Sequence, residues 1–184
     1  MAETSFSTPA ALDVASVLAV SIAGKRQERL EKRANEPPWK PRRNYASGLS
    51  SCTRQMVYAH THWNQKEPFS ADGVASMDDG NHEERLMIQE LIADGFNVVE
   101  EQVKLDDDKY WVTGKIDGKL AFQGRRVPFE MKRLSPYVFD KLNTAEDFKG
   151  DEFSLKKLKQ LTLYLLLHNE EAGLFILSNG CGKR

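Results

Sequence analysis

Glu130 and Lys132 stand two positions apart in "VPFEMKRL", residues 127–134, a carboxylate and an ammonium inside an otherwise apolar run. Alternate residues of a strand share a face, so both side chains point the same way. Upstream lie "GKID", which carries Asp117, and the turn signal Gln123-Gly124. With a two-residue hairpin turn there, Phe122 opposes Arg125 and Asp117 opposes Glu130. A four-residue loop sets Asp117 opposite Lys132 instead and still leaves the three on one face, whereas an odd loop or a bulge breaks the arrangement. Neighbouring carboxylates repel, so something cationic must offset them. Lys132 does part of this, and oxygen ligands at this spacing also suit a hard divalent ion, Mg²⁺ or Mn²⁺. The chemistry such a group serves is phosphodiester hydrolysis. The metal polarises the phosphate and helps form hydroxide, while Lys132 holds or deprotonates the water and stabilises developing charge. An E-x-K pair standing alone is common enough to read first as a strand-surface ion pair beside an unrelated turn aspartate.

The elements that must position these residues follow from periodicity and punctuation. Pro9 and the apolar, then charged, sequence to about Asn35 read as a helix, and "NEPPWKPRRNY" as an extended connector, giving an N-terminal arm over residues 1–44. In "ASGLSSCTRQMVYAHTHW", Ser50 or Ser51 is expected to cap a helix carrying Cys52, Met56 and Tyr58. A second helix is expected from "GNHEERLMIQELIADG", with Asn81 as N-cap, Met87, Ile88, Leu91 and Ile92 as its apolar stripe, and Gly95 past its end. The period then changes: "FNVVEEQVKL", "YWVTGKIDGKLAF" and "RVPFEMKRL" read as strands, although Pro128 counts against an uninterrupted central position for the last. Ser154 is expected to cap "LKKLKQLTLYLLLHN", and "GLFILS" closes as a buried strand. The order predicts an α/β fold, a mixed central sheet flanked by helices.

Four elements therefore occur in order: "GNH" with His82, "GKID" with Asp117, "FEMK" with Glu130 and Lys132, and "QLTLY" with Gln160 and Tyr164. In this the chain resembles the RecB-like exonuclease branch of the PD-(D/E)XK nuclease superfamily, over roughly residues 45–178. Within that branch it looks most like the CRISPR-associated and phage exonucleases. The resemblance implies a restriction-endonuclease-like αβββαβ core, with residues 45–184 as the nuclease domain. It implies His82, Asp117, Glu130 and the Met131 carbonyl as metal ligands and Lys132 as the catalytic lysine. Gln160 and Tyr164 match the branch's Q-x-x-x-Y motif near the active site and the DNA, and their spacing puts both on one helix face. The aspartate-proline motif is not literal here, since Asp117 lies between Ile116 and Gly118. The implied activity is metal-dependent exonucleolytic cleavage of DNA, on single-stranded ends, in recombination, phage DNA metabolism or CRISPR adaptation. An endonuclease of restriction or resolvase type, and a catalytically inactive nucleic-acid-binding module, are the alternatives.

Cys52 and Cys181 fall where that branch's iron-sulfur cysteines would begin and resume. Two thiolates fall short of the four that a [4Fe-4S] cluster requires, so either the chain is truncated at its C-terminus or the protein lacks the cluster. A mixed site adding His60 and His62 is disfavoured, because "HTH" on a helix sends the imidazoles to different faces, and Cys52 reads more simply as a buried helix residue. The chain has 184 residues, 26 basic and 27 acidic, so no global basic field points to nucleic acid. Locally, Lys25 to Arg43 hold eight Lys or Arg against three Glu. With Trp39 and Tyr45 nearby, that segment suits contact with a DNA strand, and its helix suits equally a protein partner or a dimer. Two cysteines and no long apolar run predict a cytoplasmic protein with no membrane partner.

Overall fold

The computed structural model describes residues 10–150 and 152–179. They form a mixed α/β fold: α1 (Ala10–Ala34), β1 (Asn44–Tyr45), α2 (Thr53–Thr61), α3 (Ala71–Ala93), β2 (Asn97–Asp107), β3 (Val112–Phe122), β4 (Arg125–Arg133), α4 (Pro136–Phe139), α5 (Glu152–His168) and β5 (Leu174–Ser178). The chain divides into two compact units, one holding α1 and Glu67–Met77, the other Pro38–Lys66 and the described residues from Asp78 onward. In the first, Leu30 and Ala34 bury against Val74. Among the described residues, no helix is long and apolar enough to cross a membrane.

The second unit is built on a five-stranded mixed sheet. β2, β3 and β4 form an antiparallel meander, while β1 runs parallel to β3 and β5 parallel to β4. The β3–β4 register is that of a two-residue hairpin: Phe122 pairs with Arg125 and Gly118 with Phe129, so the next position in register sets Asp117 against Glu130. Gln123 and Gly124 both adopt left-handed backbone, φ 49° and 76°, as the tightest hairpin turn requires. Pro128 is accommodated because β5 begins to pair only at Phe129, which leaves β4 with an open edge at the proline.

β2 takes one edge of β3 along most of its length, so the other edge is shared. β1 holds it at Val112 and Thr113 and β4 from Gly118 onward, and Gly114 to Asp117 have no strand beside them there. Into this gap come the short turn Ala46–Gly48 and the α5 residue Tyr164: a Cβ on Gly114 would lie 2.9 Å from both Ala46 Cβ and Tyr164 Cε1. One core cluster, Ala46, Leu105, Val112, Ile116 and Tyr164, fills this side, and another, Met87, Ile88, Leu120, Phe129 and Met131, seats α3 on the sheet.

Gly118, directly after Asp117, is the tightest point of the sheet. A Cβ there would fall 2.4 Å from the ring of buried Phe129 and 2.6 Å from the carbonyl oxygen of Glu100. Gly118→Ala is therefore expected to destabilise by about 3 kcal/mol or more, read as a drop of roughly 6–12 °C in Tm.

Three helix starts differ from those expected. α3 begins at Ala71, where Ser70 Oγ accepts from the Gly73 N–H at 3.0 Å, so Asn81 is no cap and His82 lies inside the helix. α2 begins at Thr53, with Cys52 as an exposed N-cap lacking a side-chain bond rather than a buried helix residue. α5 already runs from Glu152, which places Ser154 within it, buried.

Candidate active site

Strand alternation and the hairpin register bring Asp117 and Glu130 together, buried at 7% and 1% exposure. Asp117 Oδ2 accepts the Met131 N–H at 2.6 Å, so a side chain supplies an acceptor where β3 and β4 cease to form a ladder. Glu130 Oε1 receives two donors, Lys132 Nζ at 2.6 Å and Gln160 Nε2 at 2.8 Å. Gln160 Nε2 also lies 3.2 Å from the Tyr164 hydroxyl, one helical turn on, and both side chains are buried on the face α5 turns to the strands. The expected Asp117, Glu130, Lys132, Gln160 and Tyr164 thus form one connected group.

Burial is the largest influence on both carboxylates. It pushes Glu130 up to about 7, Asp117 and Glu84 adding to the rise and Lys132 opposing it. Asp117 is raised by burial, against the pull of Lys132 and of the Met131 N–H. The second oxygen, Glu130 Oε2, is shut from solvent and accepts no hydrogen bond among the described residues. A buried carboxylate oxygen without a partner is costly and calls for a donor or a cation.

His82 is not part of this group. It is exposed, and among the described residues no hydrogen bond joins it to Asp117, Glu130 or Lys132. The helix instead offers Glu84, half-buried, whose carboxyl is raised by desolvation and then by the charge of Asp117. Gln102 Nε2 on β2 donates to Glu84 Oε1. Gln102 stands opposite Asp117 in the β2–β3 register, and its left-handed backbone, φ 53°, interrupts the ladder between Val103/Ile116 and Glu101/Gly118. Lys157 also belongs here: burial and the charge of Lys132 depress it, while Glu130 acts the other way.

Two of these three additions were readable. Glu84 precedes Met87 by three residues and Ile88 by four, the spacing of one helix face, whereas His82 lies off that face. Lys157 shares a face with Gln160 and Tyr164 for the same reason. Nothing in the pattern announces Gln102, because a left-handed glutamine has no sequence signature.

Among the described residues no three His, Cys, Asp or Glu side chains gather into a ready metal cluster. Asp117 and Glu130 are the acidic pair that fits a hard cation, with Glu84 further out. Cys181 lies outside the described residues. His60 and His62 each have local partners, His60 Nε2 lying 3.1 Å from Asn44 Oδ1 and His62 Nδ1 2.7 Å from Thr61 Oγ1.

No family model matches the sequence, and no curated protein matches it significantly. Among solved structures it is similar to the crystal structure of SSO0001, with a TM-score of 0.49 and 18% identity over 85% of this chain and 72% of that one. A likeness of that degree says nothing of what this chain does.

Proposed function

We propose that this chain is a metal-dependent DNA exonuclease of the RecB-like PD-(D/E)XK type, acting on single-stranded ends. The observation that carries the reading is the state of Glu130: a buried carboxylate raised to about 7, with one oxygen bound twice and the other without a hydrogen-bond partner. Lys132 offsets the charge at Oε1 alone, and the buried Oε2 is left for a further cation. Asp117 and Glu130, with the Met131 carbonyl, are the residues that would hold Mg²⁺ or Mn²⁺. The ion would act as a Lewis acid on the phosphate and make bound water a better nucleophile.

The chain's own residues do the rest. Lys132, tethered to Glu130 Oε1 and only partly exposed, orients the attacking water and balances charge as it builds on the phosphate. Gln160 on α5 donates to Glu130 Oε1, the oxygen that Lys132 also holds, and Tyr164 buttresses Gln160. Lys157 adds positive charge beside Lys132, as an anionic backbone needs.

The test is cleavage of end-labelled linear and closed-circular DNA, single- and double-stranded, with Mg²⁺, Mn²⁺ or EDTA. Loss of linear single strands alone, with either metal and not with EDTA, is the expected result. Cutting of closed circles would make the chain an endonuclease, and DNA binding without turnover an inactive module. Gln160→Ala removes a hydrogen bond to a charged group, so kcat is expected to fall about tenfold to a hundredfold with little change in KM, measured on a labelled oligonucleotide.

A further inference from the structure

A cleft of about 150 Å³ lies between the segment before α2 and α2 itself, with Arg43, Asn44, Tyr45, Gln55, Met56 and His60 among its walls. That is well below the roughly 300–1,000 Å³ of sites for drug-sized ligands and cofactors, so its occupant is small or is one piece of a longer molecule. Its charged wall is unfinished. Arg43 Nη2 pairs with Asp108, which is almost fully exposed, but Arg43 Nη1 is shut from solvent and donates to nothing among the described residues.

The surrounding side chains are aromatic and held in place. The His60 ring stacks on Trp111 with centroids 4.9 Å apart and 27° between planes, and His60 Nε2 is fixed by Asn44 Oδ1. Trp111 is half-exposed and sits in left-handed backbone, φ 54°, a costly conformation for a bulky residue that persists only where the surroundings impose it. Tyr45, in the cleft wall, meets Trp39 edge to face at 5.5 Å, and both side chains stay partly open to solvent. Exposed aromatic rings beside an arginine with an unused donor form the combination that takes up a base and its phosphate without regard to sequence.

The cleft also lies on the line of the active site. Asn44 pairs with Val112, and Asp117 is five positions further along β3, about 17 Å. Between them stand Ala46 and Tyr164, packed against Gly114, so the cleft, the Ala46–Gly48 turn and the Gln160–Tyr164 face of α5 are contiguous.

We propose that this cleft is a subsite for one nucleotide of a single DNA strand, a few nucleotides from the scissile phosphate, with Arg43 on the phosphate, the Tyr45 and His60 rings on the base and Trp111 stacked on His60 to hold it. It rests on the nuclease reading only for what lies at the other end of the strand. The test has two arms on the full chain. In EDTA, fluorescence anisotropy with a labelled oligothymidylate compares wild type, Arg43→Ala, Arg43→Lys and Trp111→Ala. Arg43→Ala and Trp111→Ala are expected to weaken binding by about fivefold to a hundredfold, with partial recovery in Arg43→Lys. In the second arm, an oligonucleotide carrying 5-iodouracil is photo-crosslinked to the wild type, which needs no variant to fold, and adducts are expected at Tyr45 or His60. Unchanged affinity in both variants, crosslinks confined to other segments, or no binding by the wild type would each overturn the subsite. Variants that lose binding while the wild type cleaves nothing would sink the nuclease reading and leave the subsite standing. Metal-dependent cleavage with unchanged affinity would do the reverse.

Discussion

Lys132→Ala is expected to lower kcat on single-stranded DNA by about a hundredfold to a thousandfold, the effect of removing one preorganised charged donor from a reacting centre. The fold is expected to survive the change, because Lys132 is absent from the buried core clusters and Glu130 can take up a proton when the ammonium is lost. Two roles are open to the lysine, and pH separates them. Lys132 is the chief group holding Glu130 ionised against its burial, so the variant's carboxyl keeps its proton to a pH above about 7. If that were the whole effect, raising the pH to about 9 would ionise Glu130 and restore the rate. The expectation is recovery of no more than about tenfold, with the remaining loss reporting the ammonium's place beside the water and the phosphate. Single-turnover rates from pH 6 to 9, with thermal unfolding of the variant alongside, decide this, and full recovery at high pH would remove Lys132 from the chemical step.

Glu130→Gln is expected to abolish hydrolysis and yet stabilise the metal-free protein at pH 8. Below about 4.5 Glu130 is protonated in both the folded and the unfolded chain, and it favours neither charge state. Between about 4.5 and about 7 the unfolded chain has released the proton that the folded protein retains, so stability falls as pH rises through this window and is level above it. The difference of two to three pKa units corresponds to about 3 kcal/mol, or a Tm change of roughly 6–12 °C at this chain length. Asp147, held low by the Asn143 and Thr144 N–H groups, works in the opposite sense but at lower pH, where its contribution is lost as pH falls. Scanning calorimetry in EDTA from pH 4.5 to 8 checks the prediction: wild type declines across the window and Glu130→Gln does so much less. Adding Mg²⁺ or Mn²⁺ at pH 8 should raise the Tm of wild type only. A wild-type curve with no decline would mean that the carboxylate is compensated without metal.

The acidic hairpin was legible because its turn is. Gln123-Gly124 marked a turn whose two even lengths both leave Asp117, Glu130 and Lys132 on one face, and the structure selects the two-residue form, in which Phe122 meets Arg125 and alternation carries Asp117 to Glu130. The Gln160–Tyr164 pair was legible for the same kind of reason, since helical spacing leaves little freedom. The start of α3 was not. Gly73, Gly80, Asp78 and Asp79 are poor helix formers, and Gly80-Asn81 imitates a break followed by a cap. Packing of Val74 on Leu30 and Ala34 overrides that local preference, and Ser70 was the true cap. Misplacing the start put His82 in front and hid Glu84. β1 escaped notice because two residues carry no period, and its pairing with β3 is a long-range contact that only the folded chain shows.

The Asp117 carboxylate occupies the place of a ladder acceptor for Met131, which ties the acid to the geometry of the hairpin. The consequence concerns the length changes this chain can tolerate over evolution. One residue gained or lost at Gln123-Gly124 turns Glu130 and Lys132 to the other face of the sheet. A change of two that shifts the pairing keeps the face but sets Asp117 opposite Lys132 and withdraws the Met131 N–H from Asp117. The turn is thus closed to the insertions that surface loops ordinarily accept, and descendants of this sequence should vary in length almost anywhere else before they vary there.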